Sequence, residues 1–267
     1  MASTPLVQVT LTDLSRGARR ALAGWWGIVA LGALLLEWAL SLSTYGRENR
    51  RAMARHIVGD AAPVLVGFTV LTALIGLIVI RIVVVTALSY GLTQYALEMV
   101  VRVLVLELIP LTAALFAALR CTIPNAAEVA ALRAQASGHA SARATRELLR
   151  HDVLPRVASG VFSALLLAAV SCAVTLVLAY LLVYGPVSSG IDGYTRTVGQ
   201  VFNPAVSLIF GLKIGFLGLA VALVPMAAVL GDARSTRRGT SAEVQGLVRM
   251  FLLILLIEAA SLVGNYY

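Results

Sequence analysis

Five ionisable residues interrupt long apolar stretches of this sequence, and their charged side chains are the groups that could take part in chemistry within those stretches. They are Arg81, Arg102, Glu107, Lys213 and Glu258. A charged side chain inside a membrane costs about 2.5–3.5 kcal/mol, so such residues usually face a partner or water. They therefore indicate either ion pairs that hold a helical bundle together or a polar patch that lines a transport cavity, and the sequence leaves both interpretations open.

The positions of these charges along their stretches predict which of them can meet. At about 1.5 Å of helix rise per residue, Lys213 and Glu258 lie at similar depths, and Glu107 lies near that depth too. We therefore predict an ion pair between Lys213 and Glu258. Arg102 lies one helical turn after Glu98 and can pair with it along the same helix.

The partner of Glu107 stays open at this stage. Arg81, Arg102 and Lys213 are all candidates, and a protonated carboxyl group is the alternative. Pro110 follows in the same apolar stretch and removes one helix hydrogen bond. We expect neighbouring helices to satisfy the carbonyl group that this proline frees.

The composition places the chain among integral membrane proteins. Of 267 residues, 60% are hydrophobic and 13% are charged, with a mean hydropathy of +0.91. Soluble domains carry about 25% charged residues, and their interiors are too small to bury this much apolar surface. The net charge is +8, but the arginines cluster at the ends of apolar stretches and no aromatic residues alternate with them, which argues against nucleic-acid binding.

The apolar stretches predict an all-α fold with five membrane-spanning helices. Spanning the hydrocarbon core takes about 20 apolar residues. The predicted spans are residues 57–88, 94–119, 157–184, 200–230 and 247–265. Arginines are concentrated before the first span, between the second and third, and between the fourth and fifth, so these connections are assigned to the cytoplasm. The N-terminus is then cytoplasmic, and the C-terminus lies on the opposite side.

An additional apolar stretch, residues 25–44, has arginines at both ends, so a crossing would place one arginine cluster on the outer side. It also contains Glu37 and two tryptophans, Trp25 and Trp26, which favour the membrane interface. We interpret it as a helix in the cytoplasmic leaflet that does not cross, with a sixth span as the alternative. Two domains result, 1–56 and 57–267.

The longest polar segment, residues 121–152, separates the second and third spans. Asn125 and Glu128 have the spacing of a capping box, which predicts a helix start. Gly138 would end that helix, and Ser141 can start a second one. We expect two short cytoplasmic helices, because a helical hairpin without a task needs only about 2–8 connecting residues. An ordinary connecting loop is the alternative.

Residues for catalysis or metal binding are scarce. Cys121 and Cys172 lie in different environments, so we expect no disulfide, and two cysteines form no metal site. The histidines lie outside the apolar stretches, which argues against a proton relay: His56, His139 and His151. We therefore predict a non-enzymatic chain with no catalytic residue and no cofactor of its own.

A GxxxG pattern occurs in the fourth predicted span, at Gly211 and Gly215. Small residues at this spacing allow two helices to approach closely. We interpret the pattern as ordinary packing inside the chain, and a contact between two copies of the chain is the alternative.

The segment 107–133, ELIPLTAALFAALRCTIPNAAEVAALR, resembles the signature of the MlaE (YrbE) permease family of lipid ABC transporters. That family has an E-L-G-P start, a small-residue helix ending in A-G-R and a cytoplasmic helix with an A-E-I-G/L-x-x-M-R pattern. The matching residues are Glu107, Leu108, Pro110, Arg120, Glu128 and Arg133. Further similar stretches are LPRVASG at 154–160, FGLKIGFLG at 210–218 and LIEAASLV at 256–263. The interfacial N-terminal helix and five spans of the family agree with the topology above.

Three departures from the family pattern indicate a divergent member. Leu106 stands where the family usually has an arginine, and Ile109 stands where it usually has a glycine. The segment 134–145, AQASGHASARAT, replaces the family's T-E-Q-I-D-A-L. In the family this segment faces the ATPase, so the resemblance implies a different dedicated ATPase.

The resemblance implies a permease subunit of the bacterial inner membrane with a periplasmic C-terminus. Two copies would form the membrane core, a cytoplasmic ATPase carrying ATP and Mg²⁺ would dock on a coupling helix at residues 122–136, and an MCE-domain protein would bind from the periplasm. The cargo would be phospholipid or a related lipid. The residues assigned to ATPase coupling are Arg120, Asn125, Glu128, Val129, Leu132 and Arg133. A secondary transporter or channel is the alternative, although the sequence shows neither the paired broken helices nor the repeats typical of one.

Overall fold

The computed structural model describes residues 22, 24–38, 47–92, 95–136, 146–231 and 240–266, and these residues form helices joined by short turns, with no strand among them. Five helical stretches in this part of the chain are long and apolar enough to cross a membrane: Ile57–Ser89, Ala96–Gln135, Arg146–Val183, Pro204–Gly231 and Gln245–Asn265. The predicted all-α fold with five spans is confirmed.

The N-terminal apolar helix, α1 (Gly24–Trp38), is shorter than the five spans. At about 1.5 Å per residue it extends roughly 22 Å, which is less than the roughly 30 Å of a hydrocarbon core. Ile28 and Leu35 are buried against the bundle, whereas Trp26 is exposed. Its placement in the cytoplasmic leaflet stays a prediction, and residues 39–44 of the predicted stretch lie outside the described residues.

The first span belongs to a longer helix, α2 (Arg47–Ser89), which also accommodates Pro63. The domain boundary predicted between residues 56 and 57 therefore lies inside a continuous helix. After α2, Gly91 adopts a φ of +69°, and the N–H of Leu92 donates to the carbonyl of Ala87 at 2.8 Å. This helix ending favours glycine, because only glycine adopts a positive φ without a steric penalty.

The second span and the predicted cytoplasmic helix form one continuous helix with two π-helical segments, π1 and π2. Its parts are α3 (Ala96–Val100), π1 (Val101–Leu108), α4 (Ile109–Ala117), π2 (Ala118–Thr122) and α5 (Ile123–Ala136). Ile123 has helical dihedral angles, φ −67° and ψ −47°. The capping box predicted for Asn125 and Glu128 is therefore wrong, because the backbone is already helical before Asn125 and has no free N-terminus to cap.

Each π-helical segment of the described chain ends two residues before a proline. The prolines are Pro110 after π1, Pro124 after π2, and Pro155 after a third segment, π3 (Leu149–Val153). Proline has no N–H and its ring clashes with the carbonyl four residues earlier. A π turn is one residue wider than an α turn, so it separates that carbonyl from the ring and the helix continues past the proline.

The third span starts earlier than predicted. The described chain resumes at residue 146 and continues through π3 into α6 (Leu154–Val183) without a break. The residues from 146 onward, expected to belong to a second short cytoplasmic helix, are therefore the beginning of this span. Ser141, the predicted start of the second short helix, lies outside the described residues, and so does Gly138, the predicted end of the helix before it.

The fourth span starts four residues later than the predicted residue 200, because residues 200 and 201 end a separate short helix that was not predicted. A short helix, α7 (Ile191–Val201), is followed by α8 (Pro204–Gly231) after a break at Phe202 and Asn203. The side-chain Oδ1 of Asn203 accepts a hydrogen bond from the N–H of Val206 at 2.9 Å. Asn followed by Pro is a start signal that the sequence analysis missed, since Asn caps the helix and Pro suits its first turn.

Three tyrosines pack together where α6 meets α7, at the end of the bundle opposite α5. Tyr180, Tyr184 and Tyr194 have ring centroids 5.2–6.4 Å apart. The hydroxyl of Tyr194 donates to the carbonyl of Leu176 at 3.0 Å, and burial raises the pKa of this phenol above its usual value. The hydroxyl stays protonated at neutral pH and anchors α7 on α6.

The central helix is α6, which contacts α2, α4 and α8. Its buried face carries small side chains at Ser159, Gly160, Ser163, Ala164, Ala168 and Ser171. An added Cβ at Gly160 would lie 2.6 Å from Cγ2 of Thr122, so glycine is required for the approach of α6 to π2. The last helix, α9 (Thr240–Tyr266), packs on α8.

Candidate functional site

Lys213 lies at the centre of a buried polar cluster inside the membrane-spanning part of the bundle. It is 2% exposed and belongs to α8. Its ammonium group donates to the carboxylate of Glu107 on π1, to Oε1 of Glu258 on α9 at 2.9 Å, and to the backbone carbonyl of Leu106 at 3.1 Å. All three donor hydrogens of the ammonium therefore have acceptors.

The backbone acceptor in this cluster exists because of Pro110. In an α-helix the N–H of residue 110 would bond to the carbonyl of Leu106, and in a π-helix it would bond to the carbonyl of Val105. Pro110 has no N–H, so both carbonyls need other donors. Lys213 donates to Leu106, and Sγ of Cys172 lies 3.7 Å from the carbonyl of Val105. Neighbouring helices satisfy the freed carbonyl groups, as the sequence analysis expected.

The amide of Asn265 adds to the cluster that Lys213, Glu107 and Glu258 form. Nδ2 of Asn265 lies 3.4 Å from Oε1 of Glu107, and Asn265 lies two helical turns beyond Glu258 on the same face of α9. The side chains of Glu107 and Glu258 are 15% and 14% exposed. Oε2 of Glu258 is buried without a hydrogen-bond partner among the described residues. One ammonium thus serves two carboxylates, and one carboxylate oxygen is left for a further donor.

The structure decides among the candidate partners of Glu107. Lys213 is its partner, and the expected pairing of Lys213 with Glu258 is present as well. Arg102 instead pairs with Glu98, Nε to Oε1 at 2.9 Å, one turn apart on the second span. Arg81 is exposed and takes part in none of the ion pairs among the described residues.

A second group of charges holds α5, the helix predicted to be cytoplasmic, against α6. Nη2 of Arg156 lies 3.3 Å from Oε2 of Glu128, and its Nη1 lies 3.4 Å from Oδ1 of Asp152 and 3.0 Å from the carbonyl of the same aspartate. The side chain of Arg156 is 10% exposed, whereas that of Glu128 is 63% exposed. Asp152 and Arg156 are spaced one helical turn apart, a signal that was visible in the sequence but was not used.

Arg133 connects α5 to the helix that carries Lys213. Its Nη1 donates to the carbonyl of Val229 at 3.1 Å and to the carbonyl of Leu230 at 2.8 Å. These carbonyls belong to the last turn of α8, which ends at Gly231. The last carbonyls of a helix lack hydrogen-bond donors within it and carry partial negative charge. A guanidinium group there supplies both hydrogen-bond donors and a positive charge.

The residues predicted for ATPase coupling divide into two groups. Asn125 and Val129 are buried, and Val129 packs against Leu154, Val157 and Met226. Arg120 and Glu128 are exposed, and Leu132 and Arg133 are half-buried. One side of α5 therefore fixes the helix to the bundle, while the other remains accessible.

The GxxxG glycines make no close contact with another helix in the part of the chain that the structure describes. An added Cβ at Gly211 or Gly215 would meet nothing within 4 Å, whereas at Gly218 it would lie 3.4 Å from the carbonyl of Val161. The interpretation of Gly211 and Gly215 as internal packing is wrong, because both lie on a side of α8 that no described helix covers.

Neither Cys121 nor Cys172 forms a disulfide, and both are buried. Among the described residues, no group of three or more His, Cys, Asp or Glu side chains has an arrangement that could hold a metal ion.

The family described as Permease MlaE matches residues 53–263 of the chain. This chain belongs to the MlaE permease family. The match starts within α2 and ends within the last span, so it includes the second, third and fourth spans, α5 and the Lys213 cluster up to Glu258, whereas α1 lies outside it. A comparison with curated proteins found no match.

Membership of the MlaE permease family agrees with two features of the geometry. The helix α5 continues directly from the second span, and the charged cluster lies within the spans rather than at a surface cleft.

Proposed function

We propose that this chain is the membrane subunit of an ABC transporter that moves phospholipid or a related lipid, driven by a separate ATPase. The family match gives the permease class, and one observation carries the proposal further. Arg133 on the partly exposed helix α5 bonds to the end of α8, and α8 also carries Lys213. This path supports a link between the proposed cytoplasmic surface and the intramembrane cluster.

The ATPase would dock on the accessible side of α5. Pro124, Ala127, Glu128 and Ala131 are exposed there, so the helix presents small side chains around one carboxylate. Such a helix fits a groove on a partner protein, where a basic residue can meet Glu128. ATP and Mg²⁺ would be bound by that partner, and this chain would contribute no catalytic residue.

Force applied to α5 has two routes into the membrane. One runs through π2 and α4 to π1, because these segments form one continuous helix. The other runs through Arg133 to the end of α8 and then along α8 to Lys213, which lies roughly 24 Å away. Both routes end at the cluster of Lys213, Glu107 and Glu258, so a displacement of α5 would change the shape of the bundle at mid-membrane depth.

Two copies of the chain would form the transport unit. Gly211 and Gly215 leave a shallow strip on α8, and Leu208, Leu212 and Phe216 beside them are exposed. A close helix contact with a second copy would bury this strip. We place the complex in the bacterial inner membrane with α5 in the cytoplasm and the C-terminus in the periplasm, where an MCE-domain protein would receive or deliver the lipid.

A secondary transporter or channel is the second candidate, because one ammonium shared by two carboxylates inside a membrane is typical of ion-coupled sites. The two candidates differ in their energy source. If ATP hydrolysis in a partner drives transport, transport stops when that partner is absent. An ion-coupled carrier would continue to transport without it.

The deciding experiment is a reconstitution of the full-length chain. It would be purified from membranes in mild detergent, tested for an associated ATPase, and placed in liposomes with a fluorescent phosphatidylethanolamine. We expect an ATPase to co-purify and lipid transfer to require ATP. A stable monomer that moves an ion without any ATPase would overturn the proposal and support the second candidate.

A further inference from the structure

The charges of the Lys213 cluster do not balance when every group is ionised. Lys213 brings one positive charge, whereas Glu107 and Glu258 bring two negative charges. Among the described residues, both carboxyl groups form their ion pairs with Lys213. A charge without a counterion inside a membrane span costs about 2.5–3.5 kcal/mol. The cluster therefore needs one further positive charge.

The elements packed around the cluster do not supply this charge. Lys213 is the charged residue of α8, and Arg102 on π1 already pairs with a carboxylate one turn earlier. Arg249 lies nine residues before Glu258 on α9, where its guanidinium group faces α1. The charged residues of the remaining neighbours lie elsewhere: Arg156 on α6, which is bonded beside α5, and Glu37 on α1, which is exposed.

Three oxygen atoms on one face of α9 are buried without a hydrogen-bond partner among the described residues. They are Oε2 of Glu258, Oγ of Ser261 and Oδ1 of Asn265. Their spacing of three and four residues places them on the side of α9 that meets Lys213 and Glu107. Ser261 is only 6% exposed. Buried polar atoms in folded proteins nearly always have partners, so this face of α9 needs a further donor.

A count of hydrogens shows what kind of donor fits. If Glu258 is ionised, the single hydroxyl hydrogen of Ser261 has to serve two acceptors, Oε2 of Glu258 and Oδ1 of Asn265. A proton on Oε2 adds the second donor. The carboxyl group can then donate to Oγ of Ser261, and the Ser261 hydroxyl can donate to Oδ1 of Asn265. The same proton cancels the excess negative charge, so one proton answers both needs.

The hydrogen bonds assign this proton to Glu258 rather than to Glu107. Both oxygens of Glu107 already accept, Oε2 from Lys213 and Oε1 from Nδ2 of Asn265, and donors to a carboxylate favour its ionised form. Glu258 accepts at Oε1 only. A metal ion would add charge too, but hard cations such as Ca²⁺ and Mg²⁺ take about six oxygen ligands, and this face offers three.

We propose that Glu258 binds a proton at neutral pH and forms, with Ser261 and Asn265, a proton-binding site that makes the Lys213 cluster neutral. Loss of the proton would leave two negative charges beside one positive charge, so Glu107 and Glu258 would repel each other across π1 and α9. The contact of α9 with the second span therefore depends on proton binding. The site uses the membrane placement of the helices, but neither the proposed lipid, nor the ATPase, nor movement of a proton across the membrane.

Infrared spectroscopy of the full-length chain in nanodiscs at neutral pH tests the site directly. A protonated carboxyl group has a C=O stretching band apart from those of carboxylates, and this band moves to lower frequency in D₂O. We expect one such band in the wild type and its loss in Glu258→Gln. The matched control is Glu98→Gln, because Glu98 lies in a span with one arginine as its partner and needs no proton. This control should keep the band.

Glu107→Gln tests whether charge balance holds the proton. With Glu107 neutral, Lys213 balances an ionised Glu258, so the band should disappear although Glu258 is intact. Ser261→Ala should keep the band but shift its frequency, because the protonated carboxyl group loses its acceptor. Circular dichroism and elution profiles would confirm that each variant is folded.

The pH dependence of unfolding gives a second measurement. The folded chain would hold one proton that the unfolded chain releases at neutral pH, so the folded state should lose stability as pH rises. Between about pH 7 and 8, the unfolding equilibrium constant should rise roughly tenfold per pH unit more steeply in the wild type than in Glu258→Gln.

Four outcomes would overturn the site. A band that persists in Glu258→Gln would place the proton on another residue. A band that persists in Glu107→Gln would show that charge balance does not hold it, and an unshifted band in Ser261→Ala would exclude the serine. A wild type without the band would exclude the proton, and a melting temperature that rises with Na⁺ would then indicate a bound metal cation. Because these assays contain no ATPase and no transport step, failure of the proposed function would not change their result.

Discussion

The ammonium nitrogen of Lys213 lies 3.1 Å from the backbone carbonyl oxygen of Leu106, on a different membrane span. This carbonyl would bond within its own helix if residue 110 were not a proline. Pro110 therefore creates an acceptor inside the membrane, and Lys213 uses it together with the carboxylates of Glu107 and Glu258. The proline and the glutamate that interrupt the second span are two parts of one site.

Removing the lysine should destabilise the bundle strongly. Lys213→Ala leaves two buried carboxylates without a cation, and breaking a buried ion pair costs about 3–5 kcal/mol. Adding Glu258→Gln and Glu107→Gln to Lys213→Ala should recover part of this loss, because the remaining groups are neutral. Denaturant unfolding in detergent micelles would measure the free energy of unfolding of the single, double and triple variants.

The control is the pair of Arg102 and Glu98, which lies in the first turns of the second span with both side chains partly exposed, so that replacing both leaves no buried unpaired charge. Replacing both by Ala should therefore cause a small loss. A triple variant at the Lys213 cluster that is no more stable than Lys213→Ala alone would show that the three side chains do not act as one group.

Arg133→Gln should separate ATP hydrolysis from lipid movement. The change removes the guanidinium that bonds to the carbonyls of Val229 and Leu230, while the exposed side of α5 is unchanged. We expect ATP hydrolysis to remain within about twofold of wild type and lipid transfer to fall about tenfold, as a loss of roughly 1.4 kcal/mol of coupling would give. Arg133→Lys, which keeps a charge and fewer donors, should lie between the two. Equal losses of hydrolysis and transfer in Arg133→Gln would contradict a coupling role.

Glu128→Lys should prevent the ATPase from binding while the chain still folds. Glu128 is exposed for most of its side chain, and its reversal puts a positive charge beside Arg156 and at the proposed docking surface. We expect loss of co-purified ATPase with an unchanged elution profile of the chain alone. Asp192→Lys, exposed on α7 at the opposite end, is the matched control. Normal ATPase binding by Glu128→Lys would place the docking surface elsewhere.

Two glycine substitutions should separate dimer formation from folding. A Cβ added at Gly215 would meet no described atom within 4 Å, so we expect Gly215→Leu to give a well-folded protein that no longer forms a dimer in nanodiscs. Gly218→Leu should instead lower the thermal unfolding temperature, because the new side chain would meet the backbone of Val161. Mass photometry reports the first effect and a melting curve reports the second. A dimeric Gly215→Leu would exclude this strip as the contact.

Most of the membrane fold was predictable from hydropathy. Five apolar stretches of sufficient length predicted five spans, because backbone groups in a bilayer must be bonded within the helix. The ends of the helices were harder to predict. Asn125 carries a capping signal, yet it lies inside a continuous helix, because the helix that precedes it does not end. A local capping pattern marks a helix start only where the preceding backbone is not already helical.

The candidate site was partly predictable. The depths of the residues along the spans predicted that Lys213 and Glu258 meet. Depth does not tell which way a helix is rotated, so Arg81 remained a candidate partner of Glu107 although its side chain is exposed. Arg156 was missed as a partner of Glu128 because its position depends on how α6 packs against α5.

The sequence by itself determined that this chain is a membrane protein of five spans with charged residues at mid-depth, because hydrophobicity and charge act locally along the chain. Tertiary structure alone decided which charges meet, since a pair such as Lys213 and Glu107 requires two helices to face each other at the right rotation. It also decided that Pro110 supplies an acceptor for a neighbouring helix, and that Gly211 and Gly215 face outward. Helix rotation and contact depend on the packing of the whole bundle, and no local pattern encodes them.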